Sequence, residues 1–362
     1  MKKRGIFAAV VMLMLVLAFA SVNVSAKTYK EGWVKVNGKY VWRQTNGTIF
    51  KKKGFQKLGG NWYYLWSDGT RCTGWRTIKG NVYYFSKDSK TKGIMALGLY
   101  ELDGKSYYFN PNKTNLGKQR YGFVTINNKK YYFRKQDKGA MLKNAWFKTG
   151  GKRYRANSKG QCMTGLHTIS GVTYYFDSTC AMVTDKLGIK IKGKYYAIDE
   201  NGACTEVSEA LGLAGIQAEA CGRNLKKCFT WSATTLRYAS AAVSVDTSED
   251  LAEQYAVYGF KNKKGDCNVQ AATFYMMAKV LGQKNLLFMK ASVATGKNAD
   301  GTYKTTPHAW VEQTSGSKTY FYDPNAEYQA KKDNKKYTTY KFEYGASGSF
   351  MYIDEHNHTK AA

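Results

Sequence analysis

Two patterns of apolar and polar positions follow one another along the chain after residue 26. Over residues 32–205 a short unit recurs. It reads Gly and a large apolar or aromatic residue, a few alternating positions, Gly or Asn, then Tyr-Tyr-Phe, a polar turn and another Gly. Units begin near Gly32, Gly54, Gly74, Gly98, Gly122, Ala145, Gly165 and Gly188, at steps of 20–24 residues. Alternation over so few residues predicts short β-strands, and Asn37-Gly38, Gly59-Gly60 and Asn127-Asn128 between them predict tight hairpin turns. One such hairpin buries too little surface to stand alone, so about eight of them are expected to stack as a solenoid. The units hold few Leu or Ile, which leaves Tyr, Trp and Phe to pack neighbours together.

After Cys204 the Gly-aromatic period stops and helical spacing takes over. Apolar positions predict helices over 206–219, 225–242, 249–258 and 267–281, then strands over 286–294, 303–312 and 318–322. Helices followed by an antiparallel sheet make an α+β domain. The expected organisation is therefore a repeat region at 27–205 and a second domain at 206–362. Residues 1–26 read as a signal peptide: Lys2, Lys3 and Arg4, an apolar run over 6–20, then Val24-Ser25-Ala26. Secretion is the expectation, and no later segment is long and apolar enough to span a bilayer.

Charge sharpens the division. The whole chain carries +30. Residues 27–205 hold 34 Lys and Arg against 10 Asp and Glu, a net of +24, whereas 206–362 hold 19 against 16, a net of +3. A basic exported surface points to a polyanion, and outside a cell that is teichoic acid, acidic polysaccharide or anionic lipid rather than nucleic acid. The seven cysteines are an odd number, so at least one thiol stays unpaired within a single chain. Cys221 and Cys228, taken as seven apart on one helix, are too distant to pair, and no bridge is assigned.

Candidate chemistry lies in the second domain. Gly265-Asp266-Cys267-Asn268 precedes an amphipathic stretch, which makes Asp266 an N-cap and puts Cys267 in the first helical turn. There the helix dipole and unpaired amides favour a thiolate. Farther on, Pro307-His308-Ala309-Trp310-Val311-Glu312 alternates as a strand and returns through Thr319-Tyr320-Phe321-Tyr322-Asp323-Pro324. A turn centred on Ser315-Gly316 sets His308 directly opposite Asp323, and a carboxylate beside an imidazole orients and charges it. His356 and His358 have no companion ligands, and nothing in the sequence implies a metal or cofactor.

Residues 225–325 resemble the transglutaminase-like core in their Gly-x-Cys helix start, His-Ala-Trp-Val-Glu strand and Tyr-Asp-Pro-Asn close. The resemblance implies a papain-like fold with Cys267 as nucleophile, His308 as acid and base, and Asp323 orienting it. It implies acyl transfer on a protein or peptide substrate, as peptidase, amidase or cross-linking enzyme. The oxyanion is expected to meet the Cys267 N–H and a second donor, for which Trp231 is the candidate. The repeats resemble the cell-wall-binding repeats of Gram-positive surface proteins, which include choline-binding repeats. That implies attachment to a wall polymer, teichoic acid or glycan, with Trp33, Trp62, Trp75 and Trp146 as candidate binding residues. Choline-binding units carry Trp at two positions, but here Val82, Ser106, Lys130, Arg153 and Thr173 stand at the second. The competing expectation is a non-catalytic surface adhesion protein.

Overall fold

The computed structural model describes residues 27–240 and 250–343, and the backbone of 352–353. The expected signal peptide at 1–26, and His356 and His358, lie outside the described residues. Contacts group the chain into two compact units. One holds residues up to Thr125 with Tyr131–Leu142, and the other holds Ile126–Lys130 with everything from Lys143 on.

Eight antiparallel hairpins stand among the described residues where the recurrence places them. In the first unit, for example, Gly54–Leu58 pairs with Asn61–Leu65 and Gly74–Ile78 with Asn81–Phe85. In the second, Ala145–Thr149 pairs with Lys152–Ala156, Gly165–Ile169 with Val172–Phe176, and Lys186–Ile191 with Lys194–Ile198. Their turns have two residues, both at positive φ, as at Asn37 (48°) and Gly38 (79°) or Lys79 (48°) and Gly80 (74°). This conformation matches the right-handed twist of the strands, which is why Gly, Asn and Asp recur there.

Neighbouring hairpins are stitched by the segment that follows each one. In the first unit the Met95 amide donates to the Trp62 carbonyl and Gln119 to Val82, each at 2.8 Å. In the second unit Cys162 donates to Lys130 and Met182 to Arg153, again at 2.8 Å. Aromatic rings fill the space between. Phe85, Phe109, Phe133 and Phe176 are fully buried, and Tyr63, Tyr83, Tyr107 and Tyr154 nearly so.

Beyond the last hairpin come α1 (Glu209–Ala220), α2 (Leu225–Thr234), α3 (Leu251–Asn262) and α4 (Cys267–Val280). A sheet follows, of β1 (Leu286–Lys297), β2 (Tyr303–Ser315), β3 (Lys318–Tyr322), β4 (Phe342–Glu343) and β5 (Tyr352–Ile353), with α5 (Pro324–Lys332) between β3 and β4. Its strand order is β4-β3-β2-β1-β5, antiparallel throughout. Helix α4 is buried on most of its circumference: Val269, Ala271, Ala272, Phe274, Met276, Met277 and Ala278 are inaccessible and pack with Ala309, Val311 and Tyr322 of the sheet. Gly259 lets α3 approach it closely, since a Cβ there meets Thr273 and Val269.

Two expectations are corrected. The second helix does not run to 242 but ends at Thr234, where the Thr234 hydroxyl bonds back to the Thr230 carbonyl at 2.7 Å. The chain then extends, burying Leu236 and pairing Arg237–Tyr238 in parallel with Lys264–Gly265. Cys221 and Cys228 are not on one helix. The chain reverses between α1 and α2 and brings the two thiols near each other, and all seven cysteines are free thiols.

Helix α1 lies against the hairpin of Lys186–Ile191 and Lys194–Ile198 through glycines. A Cβ on Gly215 runs into the Leu187 carbonyl, and one on Gly212 into the Tyr195 side chain. Gly215→Ala is therefore expected to lower stability by about 2 kcal/mol, against the roughly 1 kcal/mol gain that helix propensity alone predicts. Guanidinium unfolding monitored by circular dichroism checks the sign, and a raised midpoint would show that the contact yields.

Candidate functional site

Cys267 is the first residue of α4, and the Asp266 carboxylate caps the helix by accepting the Asn268 and Val269 amides at 3.0 and 3.2 Å. That cap leaves the Cys267 amide for another acceptor. Gly265 has no room for a side chain, because a Cβ there meets Val269 on the first turn of the helix. The tight Gly-Asp-Cys entry thus follows from packing as well as from capping.

His308 lies on β2 opposite Ala291 of β1, and its Nε2 is 2.7 Å from Asp323 Oδ2. The expected pairing exists, but through a different register. Ser315 pairs with Lys318 and Val311 with Tyr322, so the turn is Gly316-Ser317 and β3 ends before a partner for His308. Asp323 reaches the ring from the N-cap of α5, while its other oxygen accepts the Ala326 amide at 2.9 Å. Its backbone is held in both directions by Thr339, whose hydroxyl donates to the Asp323 carbonyl at 2.6 Å and whose carbonyl accepts the Asp323 amide at 3.1 Å. The carboxylate is 1% exposed.

Burial opposes a charge on the His308 ring, yet the Asp323 carboxylate hydrogen-bonded to it and the nearby Cys267 sulfur raise its pKa to about 10. With Nε2 committed to Asp323, Nδ1 is the ring nitrogen for the thiol. The Trp310 ring stacks beside His308 at 6.3 Å and 21°, and its indole N–H donates to the buried Glu312 carboxylate at 2.9 Å. The other thiols are placed differently. Burial pushes Cys72, Cys162 and Cys228 up to about 12 and also raises Cys180 and Cys204.

Trp231, the expected oxyanion donor, stacks on Phe260 at 5.8 Å and carries the Lys263 ammonium at 4.6 Å. Tyr238 lies opposite Gly265 in the short parallel pair, and burial first, then the nearby Cys267 and Asp266, hold its hydroxyl above the ordinary tyrosine pKa. A helix assigned across 225–242 hid it, and the only sequence signal was the Thr234-Thr235 pair that ends α2. A buried amide chain fixes this corner, with Gln270 Nε2 donating to the Leu236 carbonyl at 3.0 Å and Asn325 Nδ2 to Gln270 Oε1 at 2.8 Å. Beside the dyad lies a cavity of about 400 Å³, lined in part by Thr295, Thr306, Asn325, Gln329 and Tyr337. His308 and Asp323 are the only ionisable pair of opposite charge in its wall, so it suits a neutral polar group.

The four tryptophans of the repeats are not equivalent. Trp62 packs into a buried cluster with Cys72, Tyr83, Phe85 and Met95. Trp33 stands edge-on to Trp42 and Tyr63, at 5.4 and 4.9 Å, with the Arg71 guanidinium 4.4 Å above its ring. Trp75, edge-on to Tyr84 and Tyr107 at 5.1 Å each, opens on a cavity of about 420 Å³ with Val82, Gln119, Tyr121 and Lys138 in its wall. Trp146, 5.1 Å from Tyr174, carries Arg153 at 4.6 Å and Arg155 at 5.8 Å.

Family models match in the repeats: the choline-binding repeat at residues 52–94 and 163–205, and the cell wall binding repeat at 122–137. Among solved structures, choline binding protein F from Streptococcus pneumoniae is 28% identical, over 49% of this chain and 57% of that one, with a TM-score of 0.40. CbpJ from the same organism is 25% identical over 49% and 58%, with a TM-score of 0.40. Its modular autolysin LytC, solved with a synthetic peptidoglycan ligand, is 22% identical over 48% and 42%, with a TM-score of 0.34. The chain thus spans less than two thirds of each of these proteins. No curated protein matches. Among the described residues no helix is long and apolar enough to cross a membrane.

Proposed function

We propose that this protein, whose repeats are of the choline-binding, cell-wall-binding type, holds wall polymer with them at the cell surface and acts on amide bonds through Cys267. The observation that carries the enzymatic part is the His308 ring, 2.7 Å from Asp323 and near enough to the Cys267 sulfur at the start of α4 to be influenced by it. A charged imidazole there supports a thiolate. The thiolate attacks an amide carbonyl, His308 passes its proton to the departing amine, and a thioester remains on Cys267. Water or a second amine then releases the acyl group, taking a proton back to His308 through Asp323-held geometry. Hydrolysis and cross-linking differ only in that acceptor.

A second reading, a non-catalytic adhesion protein, is favoured by the family-model matches, which all lie within residues 52–205. Alkylation of the full chain with iodoacetamide at pH 7, mapped by mass spectrometry, separates the two. Cys267 is expected to react at least about a hundredfold faster than the thiols that burial holds near 12. If all seven cysteines are modified at similar rates, the adhesion reading stands alone. The wall-binding part is read by sedimentation with purified walls.

A further inference from the structure

The Trp146 hairpin shows what replaces a missing cage residue. Trp146, Lys148, Arg153 and Arg155 project from one face of it, since Trp146 pairs with Arg155 and Lys148 with Arg153. A repeat that takes a quaternary ammonium surrounds it with aromatic faces. Here the protein's own Arg153 guanidinium lies 4.6 Å from the Trp146 centroid, where such a cation would sit. In the Trp75 hairpin the position equivalent to Arg153 is Val82, and an aromatic cavity of about 420 Å³ opens there. Over Trp33 a guanidinium also sits, but from a later segment: Arg71 lies over its ring and 5.1 Å from Tyr40, the aromatic that stands where Arg153 does in the Trp146 hairpin.

Next to Arg153 lies a larger cleft of about 640 Å³, with Lys148, Lys152, Arg153 and Lys186 in its wall against Asp177 and Glu200. Lys186 is held by Glu219 at 3.3 Å. The Asp177 carboxylate is already bonded by the Thr179 hydroxyl and the Thr179 and Ala181 amides, and Lys152 faces it. Lys148 and Arg153 have no carboxylate partner among the described residues. Two exposed cations beside a filled aromatic face are set for an anion that spans them.

We propose that this cleft is a charge-inverted repeat site, taking the phosphodiester of a polyol-phosphate chain in place of a quaternary ammonium. The guanidinium both closes the Trp146 face to cations and, fixed by the ring, presents its remaining N–H groups to phosphate oxygens. The same wall polymer can then be held by two chemistries, at open aromatic cavities and at phosphate clefts. The inference rests on the wall-polymer reading of the repeats.

The test uses the full chain with poly(glycerol phosphate) as probe, measured by calorimetry at low salt. Replacing Lys148, Lys152 and Arg153 together by Gln is expected to weaken binding about tenfold. The unfolding midpoint should not move, because all three side chains are exposed. The same change of charge at the exposed Lys51, Lys52 and Lys53 is expected to cost less than about threefold. Equal losses from the two sets overturn the site, since the field of the whole array then does the binding. Dextran sulfate affected by the same factor also overturns it, because the cleft then reads charge and not phosphodiester. Arg153→Trp is expected to add one choline equivalent to the titrated stoichiometry, and an unchanged stoichiometry removes the inversion. If the wild type binds neither walls nor polymer, both this site and the wall-binding reading fall, whereas binding that ignores the triple Gln variant removes this site alone.

Discussion

His308→Ala is expected to leave the protein folded and its thiol ordinary. In the wild type the imidazole stays charged to about pH 10, so it accompanies Cys267 as a cation across the neutral range. Removing it takes away the proton carrier and the charge that supports the thiolate. Amide turnover should fall at least about a thousandfold, the scale for losing a general acid and base that acts in both half-reactions. The same loss is visible without a substrate. Alkylation of Cys267 at pH 6 should drop about a hundredfold, and its rate should then climb with pH as an unassisted thiol does. A variant that alkylates at pH 6 as fast as the wild type would remove His308 from the mechanism.

Asp323→Asn should act on stability and on pH dependence together. Asn is a good N-cap, so α5 keeps the bond to the Ala326 amide, whereas the charge beside His308 is lost. Breaking a buried pair of this kind costs about 3 kcal/mol. The sign of the pH effect follows from the direction of the shift. The folded pKa of His308 is raised from 6.5 to about 10, so the pair's contribution is complete below pH 6.5 and is lost as pH rises toward 10. Between pH 7 and 9 the wild type should therefore lose about 1.4 kcal/mol per pH unit relative to the variant. Urea unfolding at three pH values measures this, and parallel stability profiles would show that the carboxylate does not set the His308 charge.

The hairpins were legible because each carries its own instructions. A two-residue turn with both φ positive, followed by alternating residues, determines a register locally, and eight recurrences left little room for another fold. The helix start at Asp266-Cys267 was legible for the same reason, since a cap and the thiol behind it are neighbours in sequence. What misled was non-local. Leu225 onward has helical spacing, but burial of Leu236 and the Gln270 bond to its carbonyl end the helix and bring Tyr238 to the thiol. Neither is visible in a window of ten residues.

By itself the sequence determined the repeat architecture, the basic charge of residues 27–205 and the three residue types that face each other at the thiol. These depend on short-range geometry and composition. Only the tertiary structure decided how His308 meets Asp323, because the sheet register differs from the expected one and α5 supplies the carboxylate instead. It alone decided that Trp231 stacks on Phe260, that Cys221 and Cys228 come near each other, and that Trp33 and Trp146 already hold arginines while Trp75 stands open. Each of those outcomes depends on which long-range neighbour fills the space beside a side chain, and packing settles that only when the whole unit is assembled.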